Sequence, residues 1–238
     1  MTLSFREAAV QTALCLLLLA AVLLAESRAG LDVFVQRQWY DAVRGTWFID
    51  ANAHHAWRWL FYDGMKRGVA AAGVLSVPVF VAGLVLDRRT WVRAGLLLAL
   101  SCAATPLLVA SLKAVTGIYC PRQLALFGGD APYRHLFSAS VPVSGGRCFP
   151  GGHASGGFAL TMLFFCVSSR RAKAAALAAS LALGWTMGLY QMMRGEHFLS
   201  HTVVSMLLAW QMNILLVLLV ERVLLPFPER KRRMRRRA

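Results

Sequence analysis

The sequence predicts an all-α integral membrane protein with six transmembrane helices, amphipathic helices at the outer face and both termini in the cytoplasm. Three observations support this prediction. Hydrophobic residues make up 58% of the 238 residues and charged residues only 16%, whereas charged residues average about 25% of soluble domains. Six stretches without Asp, Glu, Lys or Arg are long enough to cross a bilayer. Lys and Arg are concentrated in alternate connecting segments.

Each predicted span is close to the roughly 20 apolar residues that an α-helix needs to cross the hydrocarbon core. In chain order the spans are residues 8–25, 68–86, 94–112, 151–169, 174–193 and 198–220. Together they occupy about half of the chain. We therefore expect a single membrane-embedded domain over residues 1–238.

The first span has an alternative interpretation. Ser27-Arg28-Ala29 places small residues at a spacing typical of a signal-peptide cleavage site, behind an apolar stretch. That stretch is long for the core of a signal peptide, and the topology is consistent with a retained helix. We expect a transmembrane helix here, with a cleaved signal peptide as the alternative.

The segment between the first two spans, residues 31–67, contains four of the seven Trp residues, mixed with charged residues. Trp is enriched where a membrane meets water, and amphipathic helices lie in the same zone. We therefore predict amphipathic helices at the outer interface. His54 and His55 are interpreted as interfacial polar residues rather than as ligands.

The distribution of Lys and Arg predicts the orientation, because short cytoplasmic loops are enriched in both. Residues 87–93 and residues 170–173 contain three basic residues each, and the tail of residues 221–238 contains eight. Placing these segments in the cytoplasm explains most of the net charge of +15 without a nucleic-acid partner. The Arg-rich tail is also suited to contact anionic membrane lipids.

Two segments rich in ionisable residues, 113–153 and 194–201, then lie at the outer face. Ionisable residues at membrane depth are costly and usually mark function. The first segment ends in Gly151-Gly152-His153. Glycines that open a helix leave backbone N–H groups accessible to an anion, which the helix dipole also attracts. A plain helix start with an interfacial His is the alternative.

The second segment contains Gln191, Arg194, His197 and His201 at spacings of three, three and four. These residues share one face if the segment stays helical. Arg194 could hold a phosphate that His197 attacks, while His201 hydrogen-bonds the other ring nitrogen of His197 and fixes its tautomer. A polar cluster at the lipid interface is the alternative.

The order of these residues resembles the pattern of the type 2 phosphatidic acid phosphatase family, the membrane relatives of glucose-6-phosphatase and the vanadium haloperoxidases. The family pattern is Lys, six residues and Arg-Pro, then Pro-Ser-Gly-His, then Ser-Arg, five residues, His, three residues and Asp. The resemblance covers residues 113–201, where Lys113, His153 and His197 match. The predicted topology, with its site at the outer face, agrees with that family.

The first two motifs each depart from the family pattern. Cys120 occupies the position of the family's Arg, and Arg122 follows Pro121 instead of preceding it. In the second motif Gly151 replaces the Ser. Arg122 is therefore the candidate for the displaced phosphate-binding arginine.

The third motif departs at both ends. Gln191 replaces the family's Arg, and His201 replaces its Asp. Arg194 lies one helical turn from the expected arginine, so it could supply the missing guanidinium. These departures resemble a divergent bacterial branch of the family, which implies a location in the bacterial inner membrane with the site facing the periplasm.

The resemblance implies phosphoryl transfer through a covalent phosphohistidine. His197 attacks phosphorus, His153 protonates the leaving group, and His201 takes the orienting position. Phosphoryl transfer depends mostly on positioning and charge stabilisation, so a site without a metal or cofactor is chemically adequate.

The phosphate-binding residues implied by the resemblance are cationic side chains and backbone amides. Lys113, Arg194 and Arg122 would hold the phosphate oxygens. The N–H groups near Gly151 and Gly152 would assist them.

The expected substrate is a phosphorylated lipid with its headgroup at the outer face: undecaprenyl diphosphate, a phosphatidate-type lipid or lipid A. A phosphotransferase that passes the phosphoryl group to a second lipid is a close alternative. A zinc site formed by His153, His197 and His201 is a less favoured alternative, because Lys113 and Arg194 would repel a cation. A transporter is also less favoured, because the ionisable residues lie at one face rather than at the midplane.

Five cysteines complete the set of chemically distinctive residues. Three of them lie inside predicted spans, where a thiol usually behaves as a small hydrophobe. Cys120 and Cys148 lie in the outer segment, on the oxidising side of the membrane if the site faces the periplasm. We predict a disulfide between them, with two buried free thiols as the alternative.

Overall fold

The computed structural model describes residues 3–50, 56–136 and 145–225, which are mostly helical. The α-helices are α1 (Phe5–Ala29), α2 (Leu31–Gln36), α3 (Ala56–Arg58), α4 (Met65–Val85), α5 (Arg89–Thr116), α6 (Gly152–Ala159), α7 (Leu163–Cys166), α8 (Arg170–Met193) and α9 (Leu199–Leu219). Turns of 3-10 or π helix are Arg37–Trp39, Trp59–Gly64, Pro121–Gln123, Ala125–Phe127, Leu160–Met162 and Val220–Leu224. His54, His55 and most of the basic tail lie outside the described residues.

Five helical segments within the described residues are long and apolar enough to cross a membrane. They are Phe5–Ala29, Trp59–Val85, Arg89–Gln123, Arg170–Met193 and Leu199–Leu224. The chain is therefore a multi-pass membrane protein, and these segments correspond to five of the six predicted spans.

The fourth predicted span, residues 151–169, differs from the expectation. It forms a shorter apolar helical segment, Gly152–Cys166, in which a 3-10 turn separates α6 from α7. The helix starts only at Gly152, because Gly151 is extended and serves as its N-cap. Six complete crossings therefore remain a prediction from the sequence.

Helix α6 lies inside the bundle, in contact with α4, α5, α8 and α9. Ala154 and Phe158 have no exposed surface. Close approach to α8 depends on small residues, because a Cβ atom on Gly157 would lie 2.7 Å from the Cα atom of Gly184. Gly188 of α8 packs against Thr202 of α9. The glycines of α8 thus serve helix packing, which holds the start of α6 in a fixed position.

The segment after α1 departs from the predicted set of amphipathic helices. After α2 the chain forms a small antiparallel hairpin of strands β1 (Tyr40–Asp41) and β2 (Thr46–Trp47). Asp41 stabilises the turn, since its Oδ1 atom accepts hydrogen bonds from the backbone N–H groups of Val43 and Arg44 at 3.0 and 3.1 Å. Asp side chains commonly form such turns, so this local interaction competes with helix formation. Apart from this hairpin, the regular elements of the described residues are helical.

A buried ion pair stabilises the end of the bundle where α5 begins and α9 ends. Arg93, near the start of α5, donates through Nε to Glu221 at 2.8 Å and through Nη1 to the Phe165 carbonyl at 2.7 Å. The other carboxylate oxygen of Glu221 accepts the backbone N–H of Leu3 at 3.1 Å. The chain start, the beginning of α5 and the end of α9 therefore meet at one end of the bundle. The assignment of that end to the cytoplasm stays a prediction from the basic residues.

We expect Arg93→Ala to lower the thermal unfolding midpoint of the purified protein in detergent. The side chain of Glu221 is only 2% exposed, and removing one partner of a buried ion pair typically costs about 3–5 kcal/mol. Tryptophan fluorescence would report the midpoint. Arg89→Ala, at an exposed position of the same helix, is the matched control. Equal midpoints for the two variants would contradict a structural role for the ion pair.

Candidate active site

A cavity of about 730 Å³ lies at the end of the bundle where the loop between α5 and α6 meets the turn between α8 and α9. Eight of the predicted site residues line it: Lys113, Cys120, Arg122, Cys148, Gly152, His153, Arg194 and His197. Two other predicted residues, Gly151 and His201, are not part of its lining. The three sequence motifs therefore converge on one cavity.

His153 lies in the first turn of α6 and is held by a segment outside the motifs. Its imidazole stacks on the Tyr62 ring with 4.5 Å between ring centroids and 7° between ring planes. Its Nε2 atom lies 3.4 Å from the carbonyl oxygen of Phe61. The π-helical turn before α4 thus fixes the plane of this imidazole at the cavity wall.

The side chain of Lys113 closely approaches the start of α6. A Cβ atom on Gly152 would lie 3.3 Å from Nζ of Lys113. The ammonium group and the free N–H groups of the first helical turn consequently point to the same region. Together they provide positive potential for an anion.

Gly151 connects the second motif to the third. Its backbone N–H donates to the carbonyl oxygen of His201 at 3.0 Å. The hydroxyl of Ser205 lies 2.9 Å from the carbonyl oxygens of both Gly151 and His201. Gly151 therefore has a positioning role in the backbone.

His197 lines the cavity and is only 5% exposed. Burial lowers the pKa of His197 well below its usual value, and the charges of His201, Lys113 and His153 act in the same direction. A hydrogen bond to the backbone of Cys148 opposes these effects. The imidazole is consequently neutral near pH 7, the state required of a nucleophile.

His201 does not occupy the position that the spacing predicted. The centroids of the His197 and His201 rings are 5.7 Å apart, and neither Nδ1 atom has a hydrogen-bond partner among the described residues. The expected hydrogen bond between the two rings is therefore absent from this part of the chain. The imidazole of His201 instead contacts the rings of Phe149 and Phe198.

The reason for this difference lies in the turn between α8 and α9. The sequence argument assumed one continuous helix, but α8 ends at Met193 and α9 begins at Leu199. Gly195 has a φ of +70°, a left-handed conformation that favours glycine and ends the helix. The four residues of the third motif therefore do not share one helical face.

Arg194 lies beside the residue that replaces the family's arginine. Its Nη1 atom donates to the side-chain oxygen of Gln191 at 3.2 Å. Its guanidinium also lies over the rings of Tyr62 and Tyr190, at 5.3 and 5.4 Å from their centroids. The buried guanidinium is thus oriented by aromatic and amide contacts next to His197.

Arg122 lines the same cavity and belongs to the segment between α5 and α6. Its Nε atom lies 3.3 Å from a carboxylate oxygen of Glu196, and its backbone N–H donates to the Gly195 carbonyl at 2.9 Å. A disulfide joins Cys120 to Cys148. This covalent link holds the Arg122 segment against the start of α6.

The segment before α3 positions the turn between α8 and α9. Gln36 donates through Nε2 to the Met192 carbonyl at 2.7 Å, and a Cβ atom on Gly195 would clash with the Trp47 ring. Asp32 accepts the backbone N–H of Ser200 at 2.8 Å and also the Ser200 hydroxyl. Burial raises the pKa of Asp32 to about 6, although these hydrogen bonds oppose the shift.

Three polar or charged residues of the cavity lining escaped the sequence analysis: Arg58, Tyr62 and Lys66. They belong to the segment that was interpreted as interfacial because of its tryptophans. Their spacing of four residues is a signal that could have placed them on one helical face. Arg147 and Glu196 also line the cavity, and both lie inside the segments that the sequence had marked.

The described residues contain no group of three or more His, Cys, Asp or Glu side chains arranged to hold a metal ion. The three-histidine zinc site considered from the sequence therefore has no geometric support in this part of the chain. His201 also does not line the cavity that His153 and His197 line.

Comparison with known proteins gives one match. The PAP2 superfamily model matches residues 94–224, which are more than half of the chain. No curated protein and no solved structure shows significant similarity to the chain.

We expect replacement of both Cys120 and Cys148 by Ser to lower the thermal unfolding midpoint in detergent. The bond closes a loop with a sequence separation of 28 residues, and the chain-entropy argument gives about 3–4 kcal/mol for such a loop. A reductant should lower the midpoint of the wild type but not that of the double variant. Cys15→Ser, which removes a free thiol, is the control. Alkylation of both thiols in unreduced, folded protein would contradict the bond.

Proposed function

The chain belongs to the PAP2 superfamily, and from that premise we propose that it is a lipid phosphatase. Membership implies phosphatase activity on phosphorylated substrates. The proposal is that the substrate is a phosphorylated lipid, dephosphorylated at the outer face of a bacterial inner membrane through a phosphohistidine intermediate.

The observation that carries the proposal is the convergence of a buried histidine, a half-buried histidine and several cations on one cavity. His197 and His153 both line it, together with Lys113 and Arg194. A nucleophile and a separate proton donor are the groups needed for two-step phosphoryl transfer. Cations around them can stabilise the charge that develops on the phosphoryl oxygens.

In the first step a neutral ring nitrogen of His197 forms a bond to phosphorus. The bond between phosphorus and the bridging oxygen breaks, and its electron pair leaves with that oxygen. Burial lowers the pKa of His153 to about 4, and the negative charge of a bound phosphate opposes this shift, so that His153 can supply a proton to the leaving oxygen. In the second step water attacks the phosphohistidine, His153 accepts the proton, and inorganic phosphate leaves as His197 is regenerated.

The oxygens of the transferred group would lie between the start of α6 and the turn after α8. Lys113 beside Gly152 provides one positive charge, and the buried guanidinium of Arg194 provides a planar pair of donors from the other side. Arg122 approaches from the disulfide-linked loop. This arrangement supports Arg194 and Arg122 as replacements for the family's two arginines.

The lipid part of the proposal rests on the apolar portion of the cavity lining. Val69 and Ala70 of α4, Pro106 of α5 and Met187 of α8 line the same cavity as the cations. These helices are long and apolar enough to cross a membrane. A headgroup phosphate near His197 would therefore be continuous with space suited to a hydrocarbon chain. Undecaprenyl diphosphate, phosphatidate-type lipids and lipid A all have this combination.

We expect His197→Ala to abolish phosphate release from a panel of phosphorylated lipids in detergent, because the nucleophile is lost. His153→Ala should retain slow phosphorylation of the protein, with poor departure of the leaving group. Acid-labile, base-stable phosphate on the protein is the measurement that separates these variants. His135→Ala changes a histidine that contacts Glu26 and does not line the cavity, so it should remain active. Full activity of His197→Ala would falsify the mechanism.

We expect kcat/KM to stay high as the pH falls from 7 to 6. The lowered pKa of His197 keeps its imidazole neutral below the ordinary histidine pKa of about 6.5, so protonation removes the nucleophile only in more acidic solution. The pH profile should be measured with tryptophan fluorescence at each pH to confirm folding. An acidic limb with an apparent pKa at or above 6.5 in folded protein would contradict this assignment.

A further inference from the structure

Arg58, Tyr62 and Lys66 place two additional cations in the cavity, from a part of the chain that precedes the family match at residues 94–224. They lie on the continuous helical segment that runs from α3 through the π-helical turn into α4. The PAP2 superfamily match therefore does not account for these positive charges.

The Tyr62 ring is the common neighbour of three site groups. It stacks on His153 with centroids 4.5 Å apart, and the guanidinium carbons of Arg194 and Arg58 lie 5.3 and 5.7 Å from its centroid. Because both distances are measured to the same centroid, their sum is the upper limit of the separation between the guanidinium carbons of Arg58 and Arg194. Arg58 therefore shares the Tyr62 ring with the proposed general acid and with the proposed phosphate clamp.

The cavity has more positive charge than one phosphate group requires. Its basic lining residues are Arg58, Lys66, Lys113, Arg122, Arg147 and Arg194, and its acidic lining residue is Glu196. Glu196 pairs with Arg122. Among residues 3–50, 56–136 and 145–225, no carboxylate lies within ion-pair distance of Arg58 or Lys66. A phosphate monoester carries a charge of about −2 at most, which Lys113 and Arg194 can already neutralise.

We propose that Arg58 and Lys66 form a second anion subsite beside His153, and that the preferred substrate is a lipid diphosphate. This inference rests on the proposed function, because it assigns the leaving group of that same reaction. We place the leaving group between His153 and this subsite, because His153 and Arg58 contact the same Tyr62 ring. The phosphate attached to the lipid would bind Arg58 and Lys66, while the terminal phosphate is transferred to His197.

The reaction needs water and no other co-reactant. A ring nitrogen of His197 bonds to the terminal phosphorus, and the bond from that phosphorus to the bridging oxygen breaks. The bridging oxygen leaves as part of a lipid monophosphate, with a proton from His153. Water then releases inorganic phosphate from His197. Arg58 and Lys66 neutralise the charge on the departing lipid monophosphate. An alkoxide leaving group, once protonated by His153, would carry no charge for them to neutralise.

The test compares two substrates that share one polyprenyl chain, a monophosphate and a diphosphate. For Arg58→Ala and Lys66→Ala, kcat/KM for the diphosphate should fall about tenfold or more, as expected for loss of a charged hydrogen bond. The value for the monophosphate should change by less than about threefold, because Lys113 and Arg194 remain. Arg67→Ala is the matched control, since this exposed neighbour does not line the cavity. Equal losses on both substrates, or no loss on either, would overturn the subsite.

A second measurement does not depend on turnover. Inorganic pyrophosphate should raise the thermal unfolding midpoint of the wild type at lower concentration than inorganic phosphate does. Arg58→Ala and Lys66→Ala should remove most of that difference, whereas Arg67→Ala should keep it. If the wild type hydrolyses neither lipid, the proposed function fails, and this binding comparison alone decides the subsite. An unchanged pyrophosphate preference in both cavity variants would overturn it.

Discussion

The hydrogen bond between the Gly151 amide and the His201 carbonyl is the constraint on which the site depends. It joins the N-cap residue of α6 to the first turn of α9, and the Ser205 hydroxyl reinforces it from the next turn. His153 follows Gly151 on one side of this connection, and His197 precedes His201 on the other. The relative position of the two catalytic candidates is therefore set by backbone and hydroxyl groups that are themselves buried.

Elements far apart in the sequence hold this connection from two directions. The Cys120–Cys148 bond fixes the loop that precedes α6. On the other side, Asp32 and Gln36 contact the backbone at the two ends of the turn between α8 and α9. A polar site in a membrane protein needs such support, because water is not available to satisfy backbone groups displaced inside the bilayer.

The sequence was most informative where residue identity and spacing are tied to chemistry. Lys113, His153 and His197 could be assigned from motif spacing, and all three line the cavity. His201 could not be placed, because its position depends on the left-handed Gly195, which breaks the helix that the spacing assumed. Tyr62 was missed because its role comes from stacking on His153, a contact between residues 91 positions apart. The hydrophobic pattern also overestimated the fourth span, since apolar composition cannot distinguish a crossing helix from a buried short one.

The short segment Gly152–Cys166 also bears on how the protein is assembled. At about 1.5 Å per residue, a helix of this size is shorter than the roughly 30 Å hydrocarbon core. A nascent chain would therefore gain little from partitioning this segment into lipid on its own. Its environment is provided by helices synthesised both before and after it, since α5, α8 and α9 surround it. We therefore expect membrane integration of α6 to be coupled to tertiary folding, because α8 and α9, which contact it, are synthesised after it.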